Sequence, residues 1–141
     1  MILFHSINTF NISPKKEYKE WIKALVHSKE KKVGNIHYLF CDDEYLLEIN
    51  QKFLQHNDYT DIISFDYSEK KIISGDILIS VERVKENAKI FKVSFQEELL
   101  RVLAHGVLHF MGYKDKKEQE AKTMREEENK AILLFENITK K

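Results

Sequence analysis

Residues 105–115 read HGVLHFMGYKD, and the fold has to be one that makes chemical sense of them. His105 and His109 stand one helical turn apart, so both imidazoles leave the same face of a helix and can converge on one ion. Gly112 suits the left-handed conformation that stops a helix, which lets the chain turn back and carry Asp115 toward the same point. His105, His109 and Asp115 are therefore candidate metal ligands with one coordination position left open. That is the arrangement of a catalytic zinc site, where bound water is acidified toward neutral pH. Each part also has a plainer reading: a histidine pair in a core helix, a glycine C-cap, and an aspartate that forms a capping box with Glu118 for the next helix. The whole is more specific than its parts. Its spacing reproduces HExxHxxGxxH with aspartate in the last place.

The departure is at Gly106. Zinc peptidases of this pattern carry a glutamate there, which takes the proton of the attacking water and later helps the amine leave. Glycine has no side chain for that work, and inside a helix it costs about 1 kcal/mol relative to alanine. Something must need close access to the backbone at this point, either an incoming ligand or a packed strand. Cleaving an RNA phosphodiester leans more on charge neutralisation than on a general acid, and a metal supplies it directly. Gly106 tilts the reading away from a peptidase.

Working outward, Ser94 with Glu97 three residues later is a capping box that opens the helix bearing both histidines. Ser80 caps an earlier helix running to about Lys92. Before it, DIISFDY (61–67) and IISGDILIS (72–80) are β-rich runs joined by the polar SEKK, which predicts an antiparallel hairpin with Gly75 marking a bulge or a close approach. Nearer the N-terminus, ILFHSIN (2–8) and NIHYLFC (35–41) read as strands. Between them, Ser13 as cap and Pro14 as first residue open a helix on which Tyr18, Trp21, Ile22, Leu25 and Val26 recur at helical spacing, through Lys32, with Gly34 ending it. Asp42 caps a short helix with Tyr45, Leu46, Ile49 and Phe53 on one face. A last amphipathic helix runs from about Lys116 to Ile138. The fold class expected is α+β, a small mixed sheet of about four strands covered by about five helices.

The chain has 141 residues, enough for one domain with a real core, and nothing in it marks a repeat, a linker or a domain boundary. Lys+Arg and Asp+Glu number 23 each, so no global field draws the protein to a polyanion or an anionic membrane, and any nucleic acid must meet a local patch. The lysine clusters KEKK, EKK and KDKK are solvated faces or parts of such a patch. A single cysteine, Cys41, an opening without the form of a secretion signal and the absence of any apolar run of about 20 residues give an expectation of a cytoplasmic protein.

HGVLHFMGYKD, together with INQKFLQHNDYTDIISFDY and SGDILIS, resembles the YbeY family of bacterial endoribonucleases, with the three motifs in the family's order over about residues 45 to 115. The resemblance implies a zincin-like fold, a zinc ion, cleavage of single-stranded RNA, and a role in ribosomal RNA processing and in maturation or quality control of the small ribosomal subunit. The partners expected are single-stranded RNA and ribosomal or ribosome-associated proteins, with no membrane and no DNA expected. His105 and His109 fall on the first two metal ligands of the family's HGxLHLxGYDH motif, and Asp115 falls on its third histidine. A carboxylate ligand makes the site less positive than three neutral imidazoles do, and so acidifies bound water less.

A second departure is Leu54, which stands where the family usually has an arginine. Leucine cannot hold phosphate. Lys52 and His56 flank it: Lys52 is a candidate substrate-binding cation and His56 a candidate catalytic proton shuttle, or else a solvated loop histidine. Thr60, Asp61 and Ser64 of TDIISF are candidate substrate-binding residues lining the groove beside the metal, although Thr-Asp before a strand is also ordinary turn chemistry. The reading is a zinc-dependent endoribonuclease. Its rivals are a non-catalytic, zinc-containing ribosome-assembly factor that binds RNA, kept open by Leu54, and a zinc peptidase, which needs another carboxylate in place of the one absent at Gly106.

Overall fold

A computed structural model describes residues 1–53 and 60–140. The elements are β1 (Ile2–Ser6), α1 (Lys15–Ser28), β2 (Lys32–Cys41), α2 (Asp43–Phe53), β3 (Ile62–Asp66), β4 (Ile72–Ser80), α3 (Val81–Phe91), α4 (Phe95–Phe110) and α5 (Glu118–Thr139). The strands form one sheet in the order β1-β2-β4-β3. β1 and β4 both run parallel to β2, and β3 pairs antiparallel with β4, so the edge strand β3 belongs to the expected hairpin. The result is a mixed α+β fold.

Local chemistry places most element ends. Ser80 Oγ accepts from Arg83 N at 3.1 Å and starts α3, and Ser94 Oγ accepts from Glu97 N at 3.0 Å and starts α4. Asp42 Oδ1 accepts from Tyr45 N at 2.9 Å at the head of α2. Three boundaries differ from the sequence expectation. α1 is capped by Pro14 with no side-chain cap bond and stops at Ser28, after which Glu30 turns with φ +60°. Lys32 and Gly34 therefore belong to β2, where Gly34 lies beside the register shift between Val33 and Ile36 and a Cβ would collide with the Ser74 hydroxyl. Gly75 marks a close approach: its missing side chain makes room for the Phe110 ring.

α1, α4 and α5 cover one face of the sheet. Trp21, Ile22, Ile36, Tyr38, Ile77 and Leu103 are fully buried there, and the two polar rings find partners. Trp21 Nε1 donates to Ala131 O at 2.7 Å and the Tyr38 hydroxyl donates to Leu103 O at 3.0 Å, so neither is buried unsatisfied. Among the described residues the opposite face carries only α2 and a small cluster of Cys41, Leu46, Ile63 and Leu78. Among the described residues no helix is long and apolar enough to cross a membrane.

Candidate metal centre

α4 lies against the sheet through Gly106, where a Cβ would come within 2.8 Å of Ile77 Cδ1 and 3.2 Å of Ile62 Cδ1. Of the two explanations the sequence left open for this glycine, a packed strand is the one present. The position at which a zinc peptidase carries its glutamate points into the core, against β3 and β4. His105 and His109 leave another side of the helix, with ring centroids 4.6 Å apart.

Beyond α4, Gly112 has φ +98°, the left-handed turn expected of it. The chain comes back, and Asp115 Oδ2 lies 3.2 Å from His105 Nε2 and 3.5 Å from His109 Nε2. Asp115 does not cap α5. That helix begins at Glu118 with Lys117 as its cap residue, and Glu120 Oε1 accepts from Lys117 N at 3.0 Å. The capping box sits two residues beyond the predicted one, which leaves the Asp115 carboxylate to the histidines. Ligand atoms of all three side chains lie within 4.8 Å of one another. A tetrahedral zinc with bonds of about 2.0 to 2.1 Å separates neighbouring ligand atoms by roughly 3.4 Å, close to the two histidine–aspartate distances. The donor set of two imidazoles and a carboxylate fits zinc.

The orientation of His105 is fixed from behind. Its Nδ1–H donates to Glu128 Oε2 at 2.7 Å, which leaves the Nε2 lone pair facing Asp115. Glu128 is itself held by Arg101, whose Nη1 donates to Oε1 at 3.2 Å. Two acceptors, Nε2 and the Asp115 carboxylate, thus confront each other, a pairing that a cation or a proton between them satisfies. Burial pushes the His105 imidazole down, but the Glu128 hydrogen bond and the charges of Glu128, Asp115 and Asp61 outweigh it, and the ring sits above the usual histidine range.

The other candidate residues fall in different places. Asp61 lines a cavity together with His105 and Glu128. Its carboxyl accepts from Asn87 Nδ2 at 3.5 Å, and burial lifts it above the usual aspartate range against the pull of His105. The Thr60 hydroxyl donates to Ile62 O at 3.3 Å, the turn chemistry that competes with a substrate role. Ser64 alternates with Ile62 toward α4 but does not line that cavity. Lys52 sits on the last turn of α2, 6.0 Å from the Phe53 ring, and that ring lines a groove on the far face of the sheet. His56 and Leu54 lie outside the described residues.

Sequence reasoning missed Glu128 and Arg101. On α5 the structure buries Met124, Glu128, Ala131, Ile132 and Phe135, so a carboxylate stands among apolar residues. In REEENK the charges read as solvent-facing, and nothing in the run separates the residue that turns inward.

The family described as Endoribonuclease YbeY matches residues 4–136. A protein named Endoribonuclease YbeY from Flavobacterium johnsoniae is 52% identical over 135 residues, covering 96% of this chain and 97% of its own. One of the same name from Bacteroides fragilis is 48% identical over 120 residues, covering 85% and 86%. A solution structure of a protein from Thermotoga maritima superposes with a TM-score of 0.70 at 26% identity, covering 97% of this chain and 90% of the other.

Proposed function

Because the chain belongs to the endoribonuclease YbeY family, we propose that it is a zinc-dependent endoribonuclease that cuts single-stranded RNA in the cytoplasm, with ribosomal RNA as substrate and small-subunit maturation as its setting. The observation that carries the zinc reading is the convergence of His105, His109 and Asp115, with ligand atoms within 4.8 Å of one another and both histidine–aspartate separations close to those around a tetrahedral ion. Zinc bound there supplies a Lewis acid and positive charge beside the scissile phosphate. The protein's own part is positional. Gly106 brings α4 onto the sheet, Gly112 turns Asp115 back, and Glu128 locks the His105 ring with Nε2 outward. The Asp115 carboxylate faces both rings and would offset part of the charge of an ion held there.

Ordering of RNA by Lys52, Thr60, Asp61 and Ser64 and proton transfer by His56 belong to the same proposal, with Asp61 closest to the ligands by virtue of the shared cavity. The peptidase reading loses support, since position 106 faces Ile77 and Ile62 and has no space for a catalytic carboxylate. The non-catalytic assembly factor remains the rival on the strength of Leu54. Cleavage of a labelled single-stranded RNA with and without zinc decides between them: zinc-dependent cutting that His109→Ala abolishes supports the nuclease, and RNA binding with no cutting under any divalent metal supports the rival.

A further inference from the structure

Glu98, Arg101 and His105 follow one another along a single stripe of α4, at the spacing that puts side chains on the same helix face. They floor a cavity of about 230 Å3 that starts at the metal ligand His105 and runs toward the head of the helix. Asp61 at the entry to β3, Asn87 and Phe91 on α3, and Arg125 on α5 close its walls. Glu98 is 3% exposed, and among the described residues its carboxylate makes no hydrogen bond and no ion pair. A carboxylate with no hydrogen bond inside a narrow cavity is stabilised by donors that enter the cavity, beyond what the more distant charges of Arg101 and Arg125 supply. Burial, and then the charge of Asp61, lifts the Glu98 carboxyl above the usual range.

The walls carry both signs of hydrogen bonding. Asp61 and Glu98 accept, whereas Arg125 and the Asn87 amide donate. A metal cation would face the guanidinium of Arg125, and a phosphate would face the two carboxylates, so neither ion suits the whole cavity. A neutral planar ring with donors on one edge and acceptors on another does. Among RNA bases, guanine offers adjacent N1–H and N2–H donors that match the fork of a carboxylate, with O6 and N7 acceptors that match a guanidinium. Phe91, 53% exposed, stands at the rim as a face for the ring to lie on. Glu98 precedes His105 by two helical turns, about 10 Å along the axis. A base in the cavity therefore belongs to a nucleotide next to the scissile phosphate.

We propose that this cavity is a guanine pocket that sets which nucleotide lies beside the cleaved bond, with Glu98 reading the N1/N2 edge and Arg125 the O6/N7 edge. The inference rests on the nuclease reading and extends it to base choice. The test uses short single-stranded RNAs in which one guanosine, adenosine or cytidine interrupts an otherwise all-uridine chain, with zinc-loaded protein; kcat/KM, cut position and binding by fluorescence anisotropy are measured. Wild type is expected to prefer the guanosine RNA by about 5-fold to 100-fold in kcat/KM, cutting next to that residue. Glu98→Gln, and independently Arg125→Met at the exposed mouth, should bring the ratio close to one. The second variant keeps the test open if the first fails to fold. Equal cutting of all three RNAs by wild type, preference for another base, or retention of the preference by both variants overturns the pocket and leaves the nuclease reading standing. If no RNA is cut, the nuclease reading fails, and the presence or absence of guanosine preference in anisotropy then upholds or overturns the pocket by itself.

Discussion

The two sides of α4 follow different rules. Toward the sheet, Leu103 and Val107 are fully buried, Phe110 is 6% exposed, and a Cβ at Gly106 would press on Ile77 and Ile62. On the other side an ionisable group appears at nearly every turn, and exposure rises toward the candidate metal centre: 13% for the Arg101 side chain, 19% for His105 and 32% for His109, with Asp115 beyond the helix at 39%. The contrast shows how one helix both anchors and reacts. The apolar side fixes where the helix lies. The polar side is held rigid at its buried end by Arg101 and Glu128 and opens at the end where substrate must arrive.

The severest way to break the contrast is to put a charge on the wrong side. Gly106→Glu restores the HExxH pattern on paper, yet the new side chain would have to displace Ile77 and Ile62. We expect a loss of about 4 kcal/mol or failure to fold, from overpacking and an unpaired buried carboxylate, with no peptidase activity gained. Urea denaturation and a casein assay check both halves, and a stable, peptide-cleaving variant would show the sheet side to be misread.

Leu103→Ala is milder. It removes a fully buried side chain and should cost about 3 kcal/mol in denaturant unfolding while leaving zinc stoichiometry unchanged, because no ligand is disturbed. Glu128→Gln should show the reverse pattern. Zinc affinity is expected to fall by about 10-fold to 100-fold in a competition titration, with a smaller change in melting temperature than Leu103→Ala produces.

The smallest effect lies at the rim. Glu127 accepts a hydrogen bond from Lys29, and its carboxyl is held below the usual range: burial pushes it up, and the bonds from Lys29 and Lys130 outweigh that. Its folded value is depressed, so its stabilising effect is full above the ordinary glutamate pKa of about 4.3 and is lost as pH falls through the lowered folded value. Glu127→Gln should cost about 1 kcal/mol at neutral pH, and that cost should shrink in melts run at progressively more acid pH. A cost that grew on acidification would contradict the assignment.

These two sides were unequally legible in the sequence. The metal trio was readable because one helical turn plus a glycine stop is a local geometry, and residues 105–115 contain all of it. The serine caps of α3 and α4 and the β3–β4 hairpin were readable for the same reason. The parallel pairing of β1 and β4 with β2 was not, since it joins segments tens of residues apart and no local pattern states it. Gly106 announced that something lay close without saying what. Asp115 had two ordinary roles, and only the actual start of α5 separates them. Glu128 was hidden because a charge run looks the same whichever of its members turns inward. Leu54, a departure from the family pattern, and His56, the proposed proton shuttle, fall outside the described residues.

The most direct test of the central claim is zinc content by elemental mass spectrometry on wild type, His109→Ala and Asp115→Ala, with RNA cleavage measured on the same samples. The account predicts about one zinc per wild-type chain, loss of the metal in both variants, and loss of cutting along with it. An Asp115→Ala protein that keeps its zinc and its activity would contradict it, and would leave His105 and His109 as a two-histidine site with Asp115 a bystander.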